Sequence, residues 1–345
     1  MRPWLRRVVR FKLGFLIFFT FLLFLSVVAD VMFGKLHNFR YYPENLVDLN
    51  TSEDYISWPS KGSYNYESLA PNSPPNLVTL NSEGLRGGEW EILKPAGSKR
   101  IIVLGDSFTF NGALKIEETY PYLLERKLRE GGVEAEVMNF GVGSYSTQME
   151  VELFKARGLK YTPDIVIVQT YFNDWESISN QYLKKEPGLR YSRAYLANWI
   201  ARFLNKKSNI ANFLDHQLVT DLFLSRYKTE QRGLGVAGMW QRIERPLKEL
   251  KRLGEQEGFQ LVLLSAHSLP VRGQSGLLFR FPINDLLKNF AGEEQVEYFD
   301  LSKTIESYPA DQILIHPIYD THWSSIGNEI VAEEMYTALK KEGLI

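Results

Sequence analysis

The sequence contains no cysteine among its 345 residues. That absence excludes disulfides, thiolate metal sites and a cysteine nucleophile, although it leaves the cellular compartment open. A surplus of basic charge is lacking too, since 40 Lys and Arg are set against 41 Asp and Glu. Nucleic-acid-binding domains normally carry a clear basic excess, so no nucleic-acid partner is expected.

Motifs for bound phosphate or zinc are also missing. The sequence has neither a phosphate-binding Gly-rich loop nor a His-Glu-x-x-His motif. It holds five histidines, and none has a second at helical spacing to share a metal. We assign His267 and His316 structural roles, and we expect no cofactor and no metal. The segment Gly273–Leu277 fails the Gly-x-Ser-x-Gly spacing of an α/β-hydrolase nucleophile elbow.

The N-terminus differs from the rest of the chain, because five basic residues precede the apolar run Leu13–Ala29. At about 1.5 Å per residue this run spans roughly 25 Å, close to the thickness of a bilayer core. One interpretation is an uncleaved signal-anchor over residues 1–34, which would place the remainder outside the cytoplasm. The other is a signal peptide cleaved after Val27-Val-Ala29, which would release a secreted protein. The run exceeds the usual secretory length of about 7–15 residues, which favours the single-pass anchor.

Composition divides the remainder into two parts. Residues 35–99 are rich in Tyr, Asn, Ser and Pro and sustain no helical or strand period, and we expect residues 35–76 of this stretch to form a linker or stalk. Residues 77–345 are interpreted as one catalytic domain. A mostly helical insertion over about 176–235, with helices predicted at Tyr195–Leu204 and Ile210–Leu224, interrupts its pattern and could cover a site.

From residue 100 short apolar runs alternate with longer helical patterns, which is typical of a parallel sheet covered by helices. We therefore predict an α/β fold, a flavodoxin-like three-layer sandwich with a central five-stranded parallel sheet. The predicted strands are Ile101–Leu104, a strand starting at Glu136–Met138, Ile165–Gln169, Gln260–Ser265 and Val296–Phe299. The predicted helices are Glu118–Glu130, Gln148–Arg157, Met239–Gly258, with Pro246 as a kink or restart, and Ile326–Lys340.

Polar residues follow these strands at the edge where ligands of open α/β sheets collect. They are Gly105-Asp-Ser107 after the first strand, Asn139 to Ser144 after the second, Asn173-Asp174 after the third, and Asp320 and His322 in a loop before the last helix. Each motif alone has an ordinary alternative as a turn, a helix cap or half of a metal site. Their convergence at one edge of the sheet is what indicates a functional site.

The residue types suit acyl transfer. A serine hydroxyl becomes a nucleophile when a base removes its proton, and His322 could serve Ser107 in this way. Asp320 could orient the imidazole and stabilise its cation. The candidate oxyanion donors are the Ser107 N–H, a backbone N–H from the Gly141–Ser144 turn and the side-chain amide of Asn173.

The order Gly-Asp-Ser (105–107), Asn-x-Gly-Val (139–142), Asn-Asp (173–174) and Asp-x-His (320–322) resembles the four blocks of SGNH/GDSL hydrolases over roughly residues 77–345. The resemblance implies that Ser107 is the nucleophile and one oxyanion donor. It implies that Asn173 is a second donor and that His322 is the base, with Asp320 behind it. The segment Asn81–Arg86 is similar to the lead-in of membrane-anchored members.

Two positions depart from the family pattern. The glycine of the second block falls on Ser144, with Gly143 beside it, so either backbone N–H could be the donor. Tyr319 stands where the usual Asp-x-x-His has its aspartate, and the Asp-x-His spacing is similar to that of SGNH-like acetyltransferases of exported glycans.

These observations predict a serine esterase that acts on acyl esters, O-acetyl esters above all, of a carbohydrate. One alternative is an O-acyltransferase that modifies an exported polysaccharide with acyl groups from a membrane partner. Another is a glycan-binding protein that has the fold without catalysis. The expected partners are an acylated small molecule or polysaccharide and the membrane, through the N-terminal helix.

Overall fold

The computed structural model describes Phe21, Phe24, Leu25 and residues 62–66, 76–143, 145–171, 174–175, 209–266, 282–316 and 320–345. The chain divides into two units, the first formed by Met1–Tyr42 with Pro187–Phe223 and the second by Pro43–Glu186 with Leu224–Ile345. Phe21, Phe24 and Leu25 are helical, and the rest of the predicted anchor lies outside the described residues. Among the residues that are described, no helix has the length and apolarity needed to cross a membrane.

A parallel five-stranded sheet forms the centre of the second unit. Its strands in chain order are β3 (Lys99–Gly105), β4 (Ala135–Gly141), β5 (Ile165–Thr170), β6 (Gln260–Ser265) and β7 (Glu297–Asp300). Their spatial order is β4-β3-β5-β6-β7, and every neighbouring pair is parallel. This is the flavodoxin-like order, so the predicted sheet is confirmed. β3 lies at the point where the strand order reverses, and ligands of open α/β sheets bind at the carboxyl ends of the strands next to that point.

Helices cover both faces of the sheet. The described helices that carry most of this packing are α2 (Tyr120–Glu130), α3 (Thr147–Leu153), α4 (Asn209–Glu257), α5 (Ile283–Glu294) and α8 (Ser325–Lys341). Successive residues of β3 point to opposite faces: Ile101 and Val103 pack with α2 and α8, whereas Ile102 and Leu104 pack with α3, α4 and α5. The three layers of the predicted sandwich are therefore present.

Short elements complete the described chain. They are a single helical turn α1 (Ser107–Phe110), a 3₁₀ turn Ile116–Glu118, a π-turn Phe154–Gly158, a 3₁₀ turn Leu159–Tyr161, α6 (Ser302–Glu306) and α7 (Ala310–Ile313). The π-turn continues α3, so the predicted helix over Gln148–Arg157 holds with a change of winding at Phe154.

Two antiparallel pairs were not expected from the sequence. β1 (Gly62–Tyr66) pairs with β2 (Asn76–Leu80), so the interpretation of residues 35–99 as lacking strands was wrong there. β8 (Leu314–His316) pairs with β9 (Asp320–Trp323), so Asp320 and His322 lie on a short strand and not in a loop. Each pair is held by contacts between segments whose own alternation is too short to indicate a strand.

One long helix runs through the end of the predicted insertion. α4 spans Asn209–Glu257, and its one non-helical residue is Gly235, with φ of 61° and ψ of −177°. The predicted kink or restart at Pro246 is therefore found at Gly235 instead. Glycine tolerates this backbone conformation because it has no Cβ. The predicted helix over 195–204 lies outside the described residues.

Candidate active site

Ser107 opens the single turn α1 directly after β3. Asp106 precedes it as the N-cap, and its carboxylate accepts the Phe108 N–H at 2.9 Å. The Asn111 N–H closes the turn by donating to the Ser107 carbonyl at 2.8 Å. Ser107 itself is half-buried, whereas Asp106 and Phe108 on either side are buried. A tight, capped turn thus presents the hydroxyl-bearing residue at the carboxyl edge of the sheet.

Two glycines allow this turn to sit close to the sheet. A Cβ on Gly105 would overlap the side chain of Thr109, one turn further along the chain. A Cβ on Gly141, at the end of β4, would lie 2.6 Å from the Phe110 nitrogen. Both glycines of the Gly-Asp-Ser and Asn-x-Gly motifs are therefore required by close approach of α1.

His322 and Asp320 lie on β9 with side chains joined. His322 Nδ1 and Asp320 Oδ1 are 2.6 Å apart, and the same oxygen accepts the His322 N–H at 3.3 Å. The Asp320 side chain is 3% exposed and the His322 side chain 25% exposed. A buried carboxylate that holds Nδ1 leaves Nε2 as the other ring nitrogen able to exchange a proton.

The His322 strand packs against the Ser107 turn. The Phe108 ring lies with its centroid 5.0 Å from the His322 ring, 4.9 Å from Trp323 and 4.4 Å from Tyr171. Burial raises the pKa of Asp106 to about 6, while the Phe108 N–H and then the charge of His322 act to lower it. The residues on both sides of Ser107 therefore interact with His322.

The Asn-x-Gly-Val motif (139–142) at the end of β4 is hydrogen-bonded to α1, the turn that begins with Ser107. The Asn139 side chain donates to the Thr109 carbonyl at 2.9 Å and accepts the Gly141 N–H at 2.9 Å. It thus holds the end of β4 against α1. Gly143 follows in an exposed turn, where a Cβ would have no neighbour within 4 Å. Ser144 lies outside the described residues, so the choice between the two N–H donors stays a prediction.

Of the Asn173-Asp174 motif, the structure describes Asp174. The Asp174 carboxylate accepts the Tyr171 N–H at 2.9 Å and the Thr147 hydroxyl at 3.3 Å. Asp174 therefore stabilises its own turn and joins it to the start of α3. Asn173, the predicted side-chain oxyanion donor, lies outside the described residues, and its role stays a prediction.

A buried carboxyl that the sequence did not indicate lies beneath these turns. Glu150 on α3 is fully buried, and neither of its carboxyl oxygens has a hydrogen-bond partner within the described chain. Burial raises its pKa well above the ordinary value, and the charges of Asp174 and Asp106 add to that rise. Burial therefore favours the neutral, protonated form of Glu150 over its carboxylate.

Other polar contacts below Ser107 were also missed. The Thr109 hydroxyl lies 2.8 Å from the Tyr120 hydroxyl and donates to Gln169 at 3.0 Å. Arg86 and Asn111 contact the far end of α1. The adjacent pair Asn111-Gly112 is a turn signal that could have indicated Asn111. No local pattern marks a single buried Thr, Gln or Glu.

Of the other histidines, His316 lies opposite Asp320 in the register of β8 with β9. His316 lies on β8, and His267 is outside the described residues. Where the structure describes side chains, no group of three His, Asp or Glu is arranged to hold a metal ion. The arrangement that is present can position a serine beside a carboxylate-bound imidazole.

Comparison with known proteins gives matches in structure only. No family model and no curated protein matches the chain. Among similar solved structures, a lipase/acylhydrolase from Enterococcus faecalis is 16% identical with a TM-score of 0.45, covering 71% of this chain and 96% of that one. An acetyl xylan esterase is 16% identical with a TM-score of 0.43, covering 70% and 99%. A lipolytic protein of the G-D-S-L family from Desulfitobacterium hafniense is 15% identical with a TM-score of 0.42, covering 70% and 100%.

Proposed function

We propose that this protein is a serine esterase of the SGNH/GDSL type that acts on O-acetyl or other short acyl esters of a carbohydrate. The observation that carries the proposal is the 2.6 Å contact between His322 Nδ1 and Asp320 Oδ1, next to the capped turn that begins with Ser107. The four sequence motifs and the ester-cleaving enzymes among similar structures point in the same direction.

In the first step the Ser107 Oγ attacks the acyl carbonyl carbon while His322 Nε2 takes its proton. Asp320 holds Nδ1–H and stabilises the imidazolium that forms. The negative charge moves to the former carbonyl oxygen, where the Ser107 N–H, an N–H of Gly143 or Ser144 and the Asn173 amide would donate. The bond between the former carbonyl carbon and the alcohol oxygen then breaks while His322 gives its proton to that oxygen, so the free alcohol leaves and the acyl group remains on the Ser107 Oγ.

In the second step an acceptor hydroxyl attacks the acyl-serine, with His322 as base again. Water as acceptor gives the free acid, and a sugar hydroxyl gives a transferred ester. The Asp-x-His pair, which the structure joins at 2.6 Å, is the feature that keeps the O-acyltransferase function as a second candidate. Both candidates share every step up to the acyl-serine.

We propose further that the N-terminal segment holds the domain at the outer side of a membrane, or is cleaved to secrete it. The substrate would then be an exported acylated polysaccharide or a smaller ester, with a membrane protein as acyl donor in the transferase case. Protease accessibility of the domain in intact cells, with and without residues 1–34, tests this placement.

The test of the chemistry is fluorophosphonate labelling of the full-length chain with peptide mapping, together with rates on p-nitrophenyl acetate and an acetylated glycan. We expect label on Ser107 and a loss of about 10³-fold or more in Ser107→Ala. Ser98→Ala, in an exposed turn at the other end of β3, is the matched control. Unchanged rates in Ser107→Ala would contradict the proposal. Acyl transfer to added glycan without free acetate would favour the transferase.

A further inference from the structure

The single turn that begins with Ser107 is tied to the His322 strand by one residue at its far end. Asn111 is 1% exposed and donates its side-chain amide to the Trp323 carbonyl at 2.8 Å. Trp323 directly follows His322 on β9. At the same time the Asn111 N–H donates to the Ser107 carbonyl at 2.8 Å. Asn111 therefore bonds the backbone of the candidate nucleophile and the backbone next to the candidate base.

The backbone at this position suits asparagine. Asn111 has φ of 40° and ψ of 64°, in the left-handed region that asparagine tolerates better than most residues. This conformation ends α1 after one turn and aims the side chain at β9. The same residue type thus satisfies both the backbone and the side-chain requirement.

Arg86 holds Asn111 from the other side. Arg86 is 2% exposed, and its guanidinium donates to the carbonyls of Phe110, at 2.6 Å, and of Asn111 and Leu114. These carbonyls follow a one-turn helix and have few helical partners of their own. The planar guanidinium of Arg86 therefore fixes the loop after α1. In this way it joins the segment Asn81–Arg86 to that loop.

We propose that Asn111, held by Arg86, is the positioning residue that sets the distance from the Ser107 hydroxyl to the His322 imidazole. This inference rests on the proposed function. Proton transfer needs the two groups within about 2.6–3.2 Å, and a displacement near 1 Å can lower a rate about 100-fold. Asn328 also donates to the Trp323 carbonyl, at 3.2 Å, but it does not bond the Ser107 turn.

The test compares three variants of the full-length chain by fluorophosphonate labelling rate, kcat and KM on p-nitrophenyl acetate. Asn111→Gly keeps the left-handed backbone and the carbonyl that Arg86 binds, and removes only the amide. We expect its labelling rate and kcat to fall about 10- to 100-fold while KM changes less than about twofold. Arg86→Lys keeps the charge but loses the planar fork, so we expect a smaller fall in the same two quantities.

Arg100→Lys is the matched control, because Arg100 is also fully buried and also binds backbone carbonyls, at the opposite end of β3. It should lose thermal stability and keep the labelling rate. Labelling of Asn111→Gly at the wild-type rate would overturn the inference and leave the proposed function intact. If Asn111→Gly does not fold, an unchanged rate in Arg86→Lys overturns it equally. Wild-type protein that takes no label at Ser107 would overturn the proposed function itself, and this inference with it.

Discussion

A buried arginine lies near each end of β3, Arg100 at the amino end and Arg86 beside the turn that follows the carboxyl end. The two ends differ in how completely their buried polar groups are paired. At the amino end Arg100 is fully buried, donates to Glu136 at 2.8 Å and binds the carbonyls of Ile92 and Tyr161 at 2.9 and 2.8 Å. Asp164, next to it, accepts the Arg100 N–H and the Lys94 ammonium, each at 2.7 Å. At this end, therefore, the buried charge of Arg100 is paired with a carboxylate, and its N–H groups have hydrogen-bond acceptors.

At the carboxyl end the buried polar groups are less completely paired. Asp106 and Glu150 are buried with raised pKa values, and Glu150 has no hydrogen-bond partner within the described chain. Asn111 Oδ1 and Ser146 Oγ are buried without one as well. Buried groups of this kind lower stability, and proteins keep them where function requires a particular arrangement. The amino end thus serves stability and the carboxyl end serves the candidate site, and each prediction below tests that division.

The largest expected effect is on activity at the carboxyl end. In Asp320→Asn the amide no longer stabilises the imidazolium and can hold His322 in the wrong tautomer, so kcat on p-nitrophenyl acetate should fall about 10²- to 10⁴-fold. Asp164→Asn makes the same chemical change at the amino end and should keep kcat within about twofold. Equal losses in the two variants would remove the distinction between the ends.

The largest effect on stability is expected at the amino end. Arg100→Ala leaves Glu136 and several carbonyls without their donor, so the free energy of unfolding should fall by about 3–5 kcal/mol. Urea unfolding measures it, and the kcat of the remaining folded protein should be unchanged. Arg126→Ala, whose ion pair with Glu130 is exposed, is the control and should change stability by less than about 1 kcal/mol. A fall in kcat for Arg100→Ala would show that the ends are coupled.

Glu150 makes stability depend on pH. Its pKa is raised in the folded state, so the folded protein keeps a proton that the unfolded chain releases as pH rises. Stability is therefore full below the ordinary Glu pKa and is lost upward from it, by up to about 1.4 kcal/mol per pH unit. Asp106 adds a loss between its ordinary value of 3.8 and about 6.

Glu150→Gln replaces the titratable carboxyl with a neutral amide of nearly the same shape. Urea unfolding at pH 5, 6, 7 and 8 should give a flatter profile than wild type, with the variant gaining relative stability as pH rises. Glu333→Gln makes the same change at an exposed carboxyl on α8 and is the control variant. Parallel profiles for wild type and Glu150→Gln would mean that Glu150 is ionised in the folded state.

The sheet and the main site residues could be predicted because their signals are local. The run Ile165–Val168 is apolar and fully buried, which is typical of a strand inside a parallel sheet, and polar residues follow it. Ser107, Asp320 and His322 were predicted as site residues from their place after strands and from the motif order, and their catalytic roles stay predictions. The structure joins His322 to Asp320 and brings their strand to the Ser107 turn.

The positions that escaped prediction depend on contacts distant in sequence. β9 is a strand because it pairs with β8, and its four residues alone read as a loop. Asn111 meets Trp323 across 212 positions, and Arg86 meets Phe110 across 24. Such pairs leave no periodicity, so the supporting contacts of the site become visible only after the chain is folded.

The smallest expected effect concerns backbone strain. If the carboxyl end serves the candidate site and the amino end serves stability, strained backbone is expected only at the carboxyl end. Thr162, beyond the amino end of β5, breaks that rule: it is exposed and β-branched, yet it has φ of 45° and ψ of 62°, as Asn111 does at the site. Thr162→Asn should therefore raise the free energy of unfolding by about 1 kcal/mol without changing kcat, because asparagine tolerates the left-handed region. Thr162→Ala separates backbone tolerance from loss of the side chain and should gain less, since alanine lacks that tolerance. Urea unfolding that ranks alanine above asparagine would show that crowding of the branched side chain, and not the left-handed backbone, is the strained feature at this end.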